Sequence, residues 1–401
     1  MKNYRRLSKL HFIWIFAILV SCGSNDPTPT ETNLVSSTIL SSRSAAELQN
    51  ILKASGLDLP LAQLKYDIEL YKIIYHTDYL GETIEASALV VLPKNPATSV
   101  PMISFQHGTI SSHAEAPTAL PLSNTQLLLY TALASPGFIA VVPDFIGFGS
   151  SKAIMHPYYV EDLTASAVMD ALKAAQQLAK DKSVTFNSRL FLAGYSQGGY
   201  ATMATHKYIE TEQPEGYDLV ASFPAAGGYD ITNMQEYFFS LDTYSQPFYL
   251  AFVAQAYKTT YKWSQPLSDM FNEPYASRIP ALLDGSKTSD EINAELTDNM
   301  HDLLTADILA NIGTSSTYIQ IVNAFKENSL TDWAPQKPVY MYHGDEDGTV
   351  PYSNSVATIE KLKANGSTSV TLTPLPGANH STGVFPYVEA FLPMLLDLGV
   401  E

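Results

Sequence analysis

Ser196 stands in Gly194-Tyr195-Ser196-Gln197-Gly198-Gly199, a G-x-S-x-G pattern directly after the apolar run Leu190-Phe191-Leu192-Ala193 and directly before a stretch of helical character. A serine in such a strand-to-helix turn has its hydroxyl lifted above a sheet edge, at the positive end of a helix that stabilises a developing oxyanion. Side chains at Gly194 and Gly198 would collide with neighbouring chain in so sharp a turn. A serine hydroxyl is a weak nucleophile until a base takes its proton. In this arrangement an acid and then a histidine follow the serine in chain order. The candidate base is His380, in the loop Pro376-Gly377-Ala378-Asn379-His380-Ser381 after the last strand-like run. The candidate acid lies in His343-Gly344-Asp345-Glu346-Asp347-Gly348-Thr349-Val350-Pro351, where H-G-x-x-D-x-x-V-P points to Asp347, with Asp345 as the alternative. Its task is to hold the imidazole tautomer and stabilise the imidazolium. His343 is expected to pack against the sheet end.

An acyl transfer site also needs two backbone donors for the oxyanion. One is the N–H of Gln197, the residue after the serine. The other belongs to Gln106-His107-Gly108-Thr109, with the Thr109 N–H as the expected donor. The His107 imidazole is expected to be structural. Pro143-Asp144-Phe145-Ile146-Gly147-Phe148-Gly149 should wall the site. Asp144 precedes the nucleophile and is read as locking that loop, and nearby His156 as a satisfied surface histidine. Asp345 and Asp347 match only a fragment of a calcium loop, so no metal and no cofactor is expected.

These residues require a frame. Short apolar runs at Met102–Phe105, Phe138–Val142, Leu190–Ala193, Leu219–Phe223, Val339–Tyr342 and Ser369–Leu372 suit strands buried on both faces. Helical stretches such as Val160–Leu178 and Gly199–Ile209 lie between them. The alternation implies a mostly parallel sheet with helices on both faces and chemistry at the carboxyl ends of its strands. Before it, Tyr66–Tyr75 and Thr83–Leu92 should pair as an antiparallel hairpin around Gly81, preceded by a short helix over 44–55 that stops at Gly56. From 229 to 335 there is no good strand but several helical stretches and many aromatic residues. This segment is expected to form an inserted helical cap over the carboxyl edge, with some aromatics lining an apolar pocket.

The chain has 401 residues, 46% hydrophobic and 16% charged, enough for a large core. Its formal charge of −17 opposes binding to nucleic acid. Lys2, Arg5, Arg6 and Lys9 precede an apolar stretch from Leu10 to Val20, the pattern of a signal peptide over 1–21. Leu19-Val20-Ser21-Cys22 resembles a bacterial lipobox. The resemblance implies that Cys22, the single cysteine, carries a diacylglycerol anchor and starts the mature chain. The polar, turn-rich sequence after it is read as a flexible tether, over 22–43, and the folded domain as 44–401.

Together, Gln106-His107-Gly108, the Pro143–Gly149 segment, the Ser196 turn, His343-Gly344 with Asp347, and His380 resemble the α/β-hydrolase superfamily. Within it, they resemble the secretory lipase family and related bacterial lipoprotein esterases. The resemblance implies the α/β-hydrolase fold and hydrolysis of carboxylic esters, of an acylglycerol or acylated glycan, by a protein exported across the inner membrane and lipid-anchored, periplasmic or at the cell surface, with the membrane and face that carry the anchor left open. It leaves acyl length and oligomeric state open. Two other readings share the residues. A prolyl-oligopeptidase-like peptidase uses the same triad but usually has an N-terminal propeller, for which too few residues precede the hydrolase region. A surface binding protein without turnover would have no need of the serine turn.

Overall fold

The computed structural model describes residues 33–54 and 61–400. The expected signal peptide, Cys22, most of the expected tether and Gly56 lie outside the described residues. Nine strands form one sheet: β1 (Leu34–Arg43), β2 (Ile68–Tyr79), β3 (Glu82–Pro93), β4 (Val100–Gln106), β5 (Ile139–Pro143), β6 (Phe186–Tyr195), β7 (Asp218–Ala225), β8 (Val339–Gly344) and β9 (Val370–Leu375). Their spatial order is β1-β2-β3-β5-β4-β6-β7-β8-β9. Strands β4 to β9 run parallel, and β1, β2 and β3 pair antiparallel, with β3 antiparallel to β5. Among the described residues no helix is long and apolar enough to cross a membrane.

The expected hairpin is present, closed by Leu80 and Gly81 between β2 and β3. It has an extra partner. The tether expected to reach residue 43 gives way to strand β1, which pairs along β2 from Leu34–Tyr75 to Arg43–Ile68. Serine-rich Leu-Val-Ser-Ser-Thr-Ile-Leu-Ser-Ser-Arg has tether-like composition, yet an edge strand needs little burial when its neighbour supplies a backbone ladder. The ordered fold therefore begins ahead of residue 44. The first helix, α1 (Ala45–Ala54), follows at once.

Strand side chains alternate between faces with a period of two. In β6, Leu190 and Leu192 enter the core beneath α3 (Glu161–Asp181) and α4 (Gln197–Glu212). Phe191 and Ala193 enter the opposite core with α1, α2 (Thr125–Ala132) and the C-terminal helix. All of β5 is buried, as its unbroken apolar run requires. Between β7 and β8 the chain is helical: α5 (Ile231–Phe239), α6 (Phe248–Thr260), α7 (Tyr275–Leu282), α8 (Ser289–Asn293), α9 (Met300–Leu303), α10 (Ala306–Asn311) and α11 (Ile319–Glu327). This segment has a core of its own, including Met270, Phe271, Ile279, Met300 and Leu303. The last helices are α12 (Tyr352–Ala364) and α13 (Val384–Val400).

Candidate active site

Ser196 sits between the end of β6 and the first residue of α4, with φ 60° and ψ −123°. Positive φ is costly for a residue with a Cβ, so the surroundings must hold it. The Ser196 N–H donates to the Ala225 carbonyl of β7 at 2.9 Å. The two expected glycines permit the close packing. A Cβ on Gly194 would lie 2.3 Å from the Gly198 carbonyl oxygen, and one on Gly198 would lie 1.9 Å from the carbonyl oxygen of Gln106. Gly199 is equally confined, 2.2 Å from the Ala225 oxygen.

His380, five residues beyond β9, reaches the serine: its Nε2 is 2.9 Å from Ser196 Oγ. Its Nδ1 is 2.6 Å from Asp347 Oδ2. A carboxylate only accepts, so the ring hydrogen is on Nδ1, and Nε2 is left as an acceptor facing the serine hydroxyl. Asp347 follows β8 and is buried. Its Oδ1 accepts the N–H groups of Thr349 and Val350, both at 2.9 Å. Burial alone would raise its pKa, but hydrogen bonds from His343 and His380 outweigh that and hold it at about 2. Asp345, the alternative acid, instead accepts the Gly377 N–H at 2.7 Å.

The loop after β4 flanks the serine. A Cβ on Gly108 would lie 3.6 Å from Ser196 Cβ, and the Thr109 hydroxyl meets Tyr158 Oη at 2.8 Å. Gln197 opens α4, so its N–H has no acceptor within the helix. His107 is buried, its ring nitrogens near the carbonyls of Gly108 and Asp144, and burial lowers its pKa to about 4. Asp144 locks the wall loop: it accepts from Ser87 Oγ at 2.6 Å and from the Thr118 N–H at 2.9 Å.

His156 departs from expectation. It is buried, with Nδ1 2.6 Å from the Ile146 carbonyl and Nε2 2.6 Å from the Gln197 side-chain nitrogen. Burial lowers its pKa to about 3. The wall loop folds over this histidine and takes it out of solvent.

Three supports escape sequence reasoning. The Tyr195 hydroxyl donates to the His380 carbonyl at 2.8 Å, pinning the histidine loop. The Tyr387 hydroxyl donates to Phe223 O at 2.6 Å and accepts the Gly194 N–H at 3.0 Å. His343, beyond packing at the sheet end, reaches Asp347. Of these, Tyr195 and His343 stood in motifs that sequence inspection singles out, and Tyr387 in none.

The serine opens onto a cavity of about 110 Å³ lined largely by apolar side chains of the helical segment. Phe238, Phe239, Tyr244, Tyr249, Tyr257 and Trp263 line it, whereas Tyr237, Phe248, Phe252 and Tyr261 do not. The pocket extends past Val253 to Met270, Ile308, Ile312 and Ile321. Among the described residues no three His, Asp or Glu side chains are grouped to hold a metal.

The chain is similar to several solved structures. A candidate hydrolase of Legionella pneumophila is 26% identical, with a TM-score of 0.80 over 91% of this chain and 98% of that one. The rice cell wall degrading esterase LipA of Xanthomonas oryzae, in a ligand-bound form, is 24% identical, with a TM-score of 0.77 over 92% and 98%. Candida antarctica lipase A in its closed state is 16% identical, with a TM-score of 0.64 over 91% and 82%. No curated protein matches the sequence. The family model for secretory lipases matches residues 113–392. With this match over most of its length and an α/β-hydrolase fold, the chain belongs to the secretory lipase family and is a carboxylic ester hydrolase.

Proposed function

We propose that the protein hydrolyses esters of apolar carboxylic acids through an acyl-enzyme on Ser196. The observation that carries this reading is the continuous set of contacts from Asp347 through His380 to Ser196, at the mouth of an apolar pocket. His380 Nε2 takes the Ser196 proton as Oγ attacks the acyl carbon. The N–H groups of Gln197 and Thr109 receive the oxyanion. His380 then gives its proton to the leaving alkoxide, and a water deprotonated by the same nitrogen releases the acid. Asp347 keeps the ring in the required tautomer. The acyl chain enters the pocket of the helical cap over 229–335, where each buried methylene contributes about 0.8 kcal/mol.

An ester panel from acetyl to long acyl, with a feruloyl ester, tests this in the wild type and Ser196→Ala. Rising kcat/KM with acyl length, abolished in the variant, is expected. Preference for feruloyl or acetyl esters would shift the reading toward acylated glycans, and undiminished turnover by Ser196→Ala would refute it.

Membership of the secretory lipase family marks a secreted protein. Its N-terminal pattern supports a finer assignment: cleavage after residue 21, a diacylglycerol on Cys22, and a tether to residue 32 joining the anchor to the hydrolase domain. Cys22→Ser should move the protein from the membrane fraction to the soluble one and remove the lipid mass from its N-terminal peptide. Unchanged fractionation and an unmodified wild-type Cys22 would refute the anchor.

A further inference from the structure

The structure assigns a positioning role to His343, which with Ser355 fixes the Asp347 carboxylate in line with His380. This inference rests on the roles proposed for Ser196, His380 and Asp347. The Asp347 side chain has 0% exposure, so no solvent orients it. Backbone amides of its own loop occupy Oδ1. Oδ2, the oxygen that faces His380, has one further side-chain nitrogen within reach: His343 Nε2, at 3.2 Å. That nitrogen also lies 2.9 Å from the Val350 carbonyl. Both neighbours only accept, so Nε2 carries hydrogen. With hydrogen there, Nδ1 accepts from Ser355 Oγ at 2.7 Å.

His343 is on β8 and Ser355 on α12, whereas Asp347 is on the loop between them. The imidazole therefore ties the loop carboxylate to two regular elements. It also has 0% side-chain exposure, and Tyr352 packs against its ring edge at 5.7 Å between centroids. Without it, Oδ2 keeps only the His380 contact, and the acid loop loses its bond to the Val350 carbonyl.

Glutamine can place a donor nitrogen near that of Nε2, whereas leucine fills the space without a donor. For His343→Leu, kcat should fall by roughly 10- to 100-fold, as small misplacement of a reacting group allows, with KM nearly unchanged. His343→Gln should recover most of the loss. The far-downfield proton NMR signal of the His380 Nδ1–H···Asp347 bond should be present in the wild type and the Gln variant, and lost or displaced in the Leu variant. Equal impairment of Gln and Leu variants, or wild-type kcat and an unmoved signal in His343→Leu, would overturn the role. If the Leu variant does not fold, Ser355→Ala decides: a lower kcat at constant KM with a displaced signal supports the role, and wild-type behaviour overturns it. Phosphonate labelling of Ser196 in the wild type separates this outcome from failure of the catalytic assignment itself, which would leave Ser196 unlabelled.

Discussion

His380 Nε2 lies 2.9 Å from Ser196 Oγ although 184 residues of chain separate them. The sheet makes this possible. Ser196 follows β6 and His380 follows β9, so parallel strands deliver both to one edge, where Tyr195 secures the second loop to the first.

The two neighbouring acids should separate sharply by mutation. Asp347→Asn leaves the shape but gives His380 Nδ1 no anionic acceptor, and kcat should fall by about 10³- to 10⁴-fold. Asp345→Asn touches only the Gly377 contact and should stay within about threefold, since surface changes are usually mild. Steady-state kinetics on a short-chain ester will read both, and a reversal of the two effects would move the acid to Asp345.

Gly198→Ala places a methyl group 1.9 Å from the Gln106 carbonyl oxygen, so backbone must shift. The expected cost is about 1–3 kcal/mol, together with loss of activity, because the same shift displaces the oxyanion loop. Gly348→Ala is the control: its added Cβ meets nothing within 4 Å. Urea unfolding of both variants checks this, and equal stability of Gly198→Ala and wild type would contradict the close approach.

Acid should destabilise the fold through its buried histidines. Burial lowers the pKa values of His107 and His156 to about 4 and about 3, from the ordinary 6.5 of a free imidazole. Below pH 6.5 the unfolded chain binds protons that these rings refuse in the folded state. Their contribution is thus complete above that pH and is lost as pH falls toward the folded values. Each should cost roughly 1–2 kcal/mol between about pH 6.5 and about pH 5. Urea midpoints across this range should fall in the wild type, and the slope should flatten in His156→Gln. A flat wild-type profile would contradict the buried neutral rings.

Val253 lines the cap pocket, so Val253→Trp should shorten it. Loss of three buried methylenes would lower kcat/KM for a long acyl ester by roughly 50-fold, at about 0.8 kcal/mol each. Acetyl ester turnover should remain near wild type. A uniform loss across the chain-length series would place the acyl group elsewhere.

The sequence reveals most strongly those features set by local pattern. Leu190–Ala193 reads as a strand because both its faces are buried, and the glycines around Ser196 read as a turn because their backbone is crowded. The order of Ser196, Asp347 and His380 likewise follows from position after successive strands. Features set by distant partners are less visible. Strand β1 is serine-rich, and only the backbone of β2 makes it a strand. His156 is buried by the way its loop wraps, with partners at Ile146 and Gln197 that no local spacing announces. Tyr387 supports Gly194 across 193 residues, a relation with no local spacing to betray it.

The central claim is that Ser196 becomes acylated. An active-site phosphonate applied to active protein, followed by peptide mass spectrometry, tests it directly. Stoichiometric modification of Ser196 in parallel with loss of ester turnover is the predicted result. Complete inactivation with the label on another residue, or full turnover with Ser196 modified, would contradict it.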